Sequence, residues 1–279
     1  MKFGVAIIGP AKADEVAIEA EKLGFDGLFL ADHIGRIGAR DPWITLSYLA
    51  AKTTNIRLGS MVTPVPRYNP GHLATMIADL DVLSNGRVTA GFGTGYQYYE
   101  FRNFTNEGVY DFPQVRLEKY QEALRLILKL WTTPHPYTVS FKGKYYSVLD
   151  ATVWPKPFQK PHPPVWSGGG GAKSMRIAAE LCDGWMGPIF GGSAVSPEKY
   201  EAKVKTIQKF AKEYNRDMSK FTFLSWGSIY DSSESPTGTI VKMDNVRLIE
   251  DYKAAGCQYW LIVSNLMHQF AKEIMPSFK

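Results

Sequence analysis

Residues 164–187 read PVWSGGGGAKSMRIAAELCDGWMG. A short apolar run, Val165–Trp166, meets four consecutive glycines, Gly168 to Gly171, which open straight into a helical pattern, AKSMRIAAELC. A second short apolar run, in DGWMGPI, follows. Strand, helix, strand in that order is the unit from which parallel sheets are built.

The same rhythm extends in both directions. Upstream, FGVAIIG (3–9), GLFLAD, IRLGSMV and RVTAGFG read as strands one to four. Between them lie helices with Val16, Ala17, Ala20 and Leu23 on one face, with Asp41 as N-cap before Pro42, and with Leu73, Ile77 and Leu80 after a start near Pro70. A long helix over 113–131 places Leu117, Tyr120, Leu124, Ile127 and Trp131 on one stripe. Downstream of the glycines, DGWMGPI, FTFLSWGSI and QYWLIV are strands six to eight, separated by helices through Tyr200–Tyr214 and Asn245–Gly256, with a last helix over 266–276. Eight consecutive strand–helix units predict a closed (β/α)8 TIM barrel; an open doubly wound sheet is the alternative. The rhythm breaks over 133–164, rich in proline and aromatics, where YTVSFKGKYYSV predicts a hairpin around Lys142-Gly143-Lys144. This segment is an insertion after helix four, and 1–279 is expected to be one barrel domain. Its aromatic residues, with Trp131, are candidates for a lid over the barrel mouth or for a flap packed beside it.

Composition narrows the function. The apolar fraction is 45% and the net charge +5, with basic residues scattered rather than blocked. That pattern argues against nucleic acid as a partner. No apolar run approaches the roughly 20 residues that span a bilayer, and the first residues do not read as a signal peptide. A cytoplasmic protein is expected. Cys182 and Cys257 sit in apolar contexts and read as reduced core thiols. No H-x-x-x-H, C-x-x-C or G-x-S-x-G pattern occurs, so metal, dithiol and serine-hydrolase chemistry have no motif here.

In a parallel barrel, function gathers where strands end and helices begin. Gly168, Gly169, Gly170 and Gly171 lie at such a point, with bare amides and the positive end of the following helix directed at one spot. This predicts an anion pocket, most simply for a phosphate, with Lys173 adding charge. The run fits neither the Walker pattern nor G-x-G-x-x-G. A second glycine group, Gly91, Gly93 and Gly95, follows strand four and suits either a flat ring lying over the strand ends or close strand packing.

The run RYNPGHLATMIADLDVLSNGRVTAGFGTGYQYYEFRNF resembles the bacterial luciferase-like enzymes, the FMN- or F420-dependent oxidoreductases and monooxygenases. The features that carry the resemblance are Pro70, Asp81, Leu83, Ser84, Gly86, Arg87, the Gly91–Gly95 turn, Glu100, Phe101 and Phe104. The stretch from Pro163 to Met186 is similar to the family's second signature, and GFDGLFLADHI and YKAAGCQYWLIV are similar to its second strand and closing segment.

The resemblance implies a TIM barrel and a homodimer. It implies FMN or F420 with its phosphate at Gly168–Gly171 and its ring against Met61 and Val62, where a non-proline cis peptide is expected. Gly93, Gly95 and Tyr96 would line the ring, and Arg67, Lys173 and Arg176 are candidates for the acidic tail of F420. Asp32-His33 matches a pair common in F420-using relatives, in which the histidine serves as acid or base; the structural alternative is that Asp32 orients a loop that His33 lines. Alcohol- and sugar-oxidising F420 relatives carry a glutamate where this chain has Tyr96 and a tryptophan where it has Ile37, departures that count against alcohol or sugar dehydrogenation. The FMN monooxygenases often carry tryptophan at the Tyr96 position and draw reduced flavin from a separate reductase. The chain is thus read as a flavin- or F420-dependent oxidoreductase acting on a small organic substrate, the alternative being a barrel that binds flavin without turnover.

Overall fold

The computed structural model describes residues 1–8, 12–35, 40–187, 189–190, 193–227 and 242–278. Eight parallel strand positions form one ring: β1 (Lys2–Ile7), β2 (Gly27–Leu30), β3 (Arg57–Ser60, resuming as Thr63–Pro64), β4 (Val88–Gly93), β5 (Val165–Gly168), β6 (Gly184–Met186), β7 (Thr222–Trp226) and β8 (Tyr259–Val263). Neighbours run in the order β3-β2-β1-β8-β7-β6-β5-β4, and β3 pairs β4 through Leu58 with Val88 and Gly59 with Thr89. That last pairing closes the sheet, so the barrel holds and the open-sheet alternative falls. Among the described residues, no helix is long and apolar enough to cross a membrane.

The helices are α1 (Ala13–Lys22), α2 (Pro42–Ala50), α3 (Pro70–Leu83), α4 (Tyr98–Phe104), α5 (Pro113–Thr132), α6 (Ala172–Leu181), α7 (Pro197–Glu213), α8 (Lys242–Ala254) and α9 (Met267–Glu273). Their starts follow local chemistry. Asp41 accepts from the Ile44 amide at 2.9 Å, and Asn69 accepts from Gly71 and His72 at 3.0 and 3.1 Å, each just before a proline at the first helical position. The apolar stripes face the strands: Leu73, Ile77 and Leu80 on α3, and Tyr120, Leu124, Ile127 and Trp131 on α5, are all buried. Trp43, Cys182 and Cys257 are buried as well, and both thiols are free.

A second core fills the barrel itself. Phe29, Trp166 and Tyr259 meet ring to ring at 5.4 to 5.9 Å, joined by Met186, Leu224 and Leu261. Space for these rings comes from strand positions without side chains. A Cβ on Gly59 would stand 2.7 Å from Phe29, and one on Gly184 would stand 2.5 Å from Trp166. Met61, Val62 and Trp226 lie partly buried on top of this filling, at the C-terminal end of the barrel.

The structure adds to the sequence expectations at two points. The short helix α4 is absent from the sequence reading. The hairpin occurs, as Val139–Lys142 against Ser147–Ala151, but the insertion does not cover the mouth. Glu122 of α5 accepts from the amides of Lys144, Tyr145 and Tyr146 at 2.7 to 2.8 Å, Lys156 donates to the Leu130 carbonyl, and Gln159 bonds Asp81 and the carbonyl of Val88. The segment therefore lies along α5 and returns past the start of β4, which makes it a packed flap rather than a lid. The expected strands one, six and seven run into residues 9, 188 and 228–229, and Ile37 lies at 36–39; these positions fall outside the described residues.

Candidate active site

Four adjacent strand ends build the mouth. On β2, Leu30 is level with Ser60 of β3, and the Met61 amide donates to the Leu30 carbonyl at 2.8 Å. Asp32 and His33 therefore emerge beside Met61 and Val62. The Met61–Val62 peptide is cis, as the resemblance implies. Val62 is wedged between β4 and β5: a Cβ on Gly93 would come within 2.7 Å of its Cγ2, and one on Gly168 within 3.3 Å of both its methyls. Gly93 is itself buried, so it serves the mouth by making room for Val62. Gly95 adopts φ +70, and a Cβ there would strike Phe101 and Pro64 at 2.8 Å; its lack of a side chain answers to the turn and its packing. Tyr96 is exposed and meets the His33 ring edge-on, with centroids 5.8 Å apart.

The glycine corner has the polarity of an anion site. Its carbonyls are drawn backward: that of Gly169 accepts from Trp185 Nε1 at 2.7 Å, that of Gly170 from Lys203 Nζ at 2.8 Å, and that of Gly171 from the Ser174 hydroxyl at 2.8 Å. The amides of Gly169 to Ser174 take no acceptor from the described residues. Gly169 sits at φ +109, a conformation side chains disfavour, and this turn sets the loop across the start of α6. Lys203, on α7, was not singled out from the sequence, where nothing distinguishes it from the other lysines of its helix. Lys173 is exposed and its ammonium bonds Gln114 of α5. Arg176 pairs with Glu213 and stacks over Phe210, with its guanidinium 4.0 Å from the ring centroid.

A buried polar cluster stands behind His33. Glu100, from α4, is 1% exposed; its Oε1 lies 2.7 Å from His33 Nδ1 and its Oε2 accepts from Arg67 Nη1 at 3.0 Å. Arg67 Nη2 bonds Asp32 and also donates to the Tyr68 hydroxyl at 3.1 Å, which in turn donates to Asp32 Oδ2 at 3.0 Å. Burial pushes the Asp32 carboxyl above the ordinary carboxylate range, against the opposing pull of Arg67, Tyr68 and Thr63. Burial works against the charge of Arg67, and Asp32 and Tyr68 more than restore it, so its pKa rises further.

The Asp32 side chain has no exposed surface, so of the expected pair only His33, 19% exposed, reaches the mouth. Arg67 is a buried partner of two carboxylates rather than a surface charge. Glu100 had appeared in the sequence only as part of the resemblance. The signal that would have marked it is a glutamate in the first turn of a helix, next to the apolar Phe101, immediately after the strand-four glycines.

Comparison with known proteins agrees with this geometry. The family model described as luciferase-like monooxygenase matches residues 4–232. An F420-dependent glucose-6-phosphate dehydrogenase of Microbacterium testaceum (strain StLB037) is 34% identical over 206 residues, covering 70% of this chain and 56% of that protein. The chain thus spans a little over half the length of that relative. An F420-dependent secondary alcohol dehydrogenase in complex with an F420-acetone adduct superposes with a TM-score of 0.82 at 21% identity, covering 100% of this chain and 99% of the other. A long-chain alkane monooxygenase gives 0.80 at 16% identity, covering 100% and 91%. The two superpositions speak to the fold; the family match extends from β1 past β7, through the mouth and both glycine groups. With a closed barrel, a cis peptide on strand three and a glycine corner after strand five, the chain belongs to the luciferase-like monooxygenase family.

Proposed function

We propose that this protein is an oxidoreductase that uses F420, or alternatively FMN, on a small organic substrate. The carrying observation is the alignment of His33, the Met61–Val62 platform and the acceptor-free amides of Gly169–Ser174 along four neighbouring strand ends. A planar ring with a phosphorylated tail fits this layout. The absence of a Cβ at Gly93 and Gly168 lets Val62 lie flat between them, and the backward-drawn carbonyls leave amide hydrogens facing the phosphate. In this reading Gly168 to Gly171, with Lys173 at the rim, hold the phosphate, and Met61 and Val62 support the ring. Tyr96 closes one side of the substrate space. When bound, the cofactor supplies the two-electron chemistry. The chain's own residues bind and orient it, exclude water, and move the substrate proton through His33.

F420 is favoured because the relatives that resemble the chain in sequence are named as F420-dependent. The exposed aromatic Tyr96 beside His33 supports the second reading, an FMN monooxygenase supplied by a separate reductase. The flavin-storage alternative has no counterpart among these relatives. We also read 1–279 as one barrel domain with the insertion at 133–164, a homodimer and a cytoplasmic protein. Separate fluorescence titrations with F420 and FMN test the assignment. Tight F420 binding with none for FMN supports hydride transfer, the reverse supports the oxygenase, and indifference to both refutes the proposal.

A further inference from the structure

We propose that Glu100 is the positioning residue for His33: its buried carboxylate, shared with Arg67, holds the neutral imidazole proton on Nδ1 and leaves Nε2 as the atom that meets substrate. This rests on the acid–base reading of His33 given above and adds what directs it.

The hydrogen inventory carries the inference. The two carboxylates, Asp32 and Glu100, are faced by His33, Thr63, Arg67, Tyr68 and Tyr99, and Tyr96 meets the far side of the cluster at the His33 ring. Arg67 offers only donors and keeps its charge. Its two terminal nitrogens are divided, one to Glu100 Oε2 and the other to Asp32 and the Tyr68 oxygen. The Tyr68 hydrogen is spent on Asp32. Glu100 Oε1 is then left to His33 Nδ1 at 2.7 Å, with the Tyr99 hydroxyl at 3.5 Å. An ionised carboxylate is an acceptor only, so the hydrogen between Glu100 and His33 belongs to Nδ1. Nε2 has no partner among the described residues, and of His33, Asp32, Arg67 and Glu100 the imidazole, 19% exposed, is the most accessible.

Charge gives the arrangement its direction. Asp32, Glu100 and Arg67 together carry one negative charge while His33 is neutral. When Nε2 takes a proton from the substrate, Nδ1 keeps its own, and the buried group becomes neutral as a whole. The cluster thus stabilises the imidazolium without any movement of Arg67. Asp32 acts at one remove: it holds Arg67 in the position from which Arg67 reaches Glu100.

The test is the tautomer of His33, read without ligand or substrate. Long-range proton–nitrogen NMR of the intact, nitrogen-15-labelled protein at mildly alkaline pH distinguishes a protonated from a bare ring nitrogen. The His33→Asn variant assigns the signals by their loss. The expected wild-type pattern is a protonated Nδ1 and a bare Nε2. In Glu100→Ala the acceptor is gone, and the expected result is a shift of population toward the Nε2-protonated form. In Glu100→Gln one oxygen replaces two; Arg67, which can only donate, takes it, so the amide NH2 faces Nδ1 and the population is expected to shift toward the Nε2-protonated form. A wild-type ring protonated on Nε2 overturns the proposal, as does a folded Glu100→Ala protein with an unchanged pattern. Should Glu100→Ala fail to fold, the wild-type spectrum and that of Glu100→Gln still decide. Cofactor titration reports separately, so a protein that binds neither F420 nor FMN yet shows the expected tautomer overturns the functional reading and supports this one.

Discussion

Replacing Gly93 with alanine adds one methyl group where the structure has no room for it. The new Cβ would stand 2.7 Å from Val62 Cγ2, while carbon atoms settle at roughly 3.5–4.0 Å, so Val62 must retreat by about 1 Å. Toward β5 it can move into no more than the space of the side chain that Gly168 lacks, a position 3.3 Å from both of its methyls. The floor below is packed with Phe29, Trp166 and Tyr259. The open direction is upward, into the space assigned to the cofactor ring. Overpacking of this kind costs about 1–3 kcal/mol, and misplacement by 1 Å at a site costs on the order of a hundredfold in rate. We expect Gly93→Ala to weaken cofactor binding about tenfold, equivalent to ~1.4 kcal/mol. The assay is a fluorescence titration with thermal unfolding measured in parallel. Gly71→Ala serves as control, since its Cβ meets nothing closer than 3.4 Å. The decisive variant is Gly93→Ala with Val62→Ala, which removes the colliding Cγ2 methyl together with Cγ1. In a double-mutant cycle the pair should recover affinity relative to the sum of the single changes by at least about 1 kcal/mol. Wild-type affinity and melting in Gly93→Ala, or strict additivity in the cycle, would refute the reasoning.

Two further outcomes follow from the geometry. Lys203→Met removes the cation on the Gly170 carbonyl while leaving the acceptor-free amides in place, so FMN affinity should fall about fivefold (~1 kcal/mol) and that of riboflavin, which lacks the phosphate, should stay unchanged; an equal loss for both would count against an anion site. Glu21 is buried enough to raise its pKa, but the amides of Asn55, Ile56 and Thr54 and the charge of Arg87 outweigh this and hold it below 4.5. Its stabilisation is therefore complete above the unfolded value and disappears as pH falls through the lower folded value, so Glu21→Gln should cost about 1 kcal/mol at neutral pH, after allowance for solvent screening, and little in acid, by denaturant unfolding at both.

The barrel was legible because each of its parts has a local cause. Asp41-Pro42 and Asn69-Pro70 mark helix starts by chemistry within four residues, and the stripe from Tyr120 to Trp131 repeats at helical spacing. The glycine corner was legible for the same reason, since Gly168–Gly171 are contiguous. The polar cluster was not. Asp32, Arg67 and Glu100 lie more than thirty residues apart from one another in sequence, and only closure of β2, β3 and β4 brings them together. Nothing local separates a buried Arg67 from a solvated one, which is why it had been offered as a tail-binding charge. Helix α4 was hidden by its brevity: it has no side-chain cap, and its aromatic residues suit a loop or a turn equally well. The sequence left lid and flap open for the insertion because its aromatics suit either; Glu122, a single carboxylate on a neighbouring helix, decides where it lies.

The bare strand positions inside the barrel answer to backbone as well as to rings. A side chain at position 59 or 184 would meet the ring opposite and also the Thr89 carbonyl at 2.7 Å or the Thr222 carbonyl at 2.8 Å, so a smaller ring alone does not make room for it. A smaller ring at either place therefore leaves a hole that the bare position cannot fill. Variation in what the mouth accepts is left to the loops above it, while the depth of the cup beneath them stays locked.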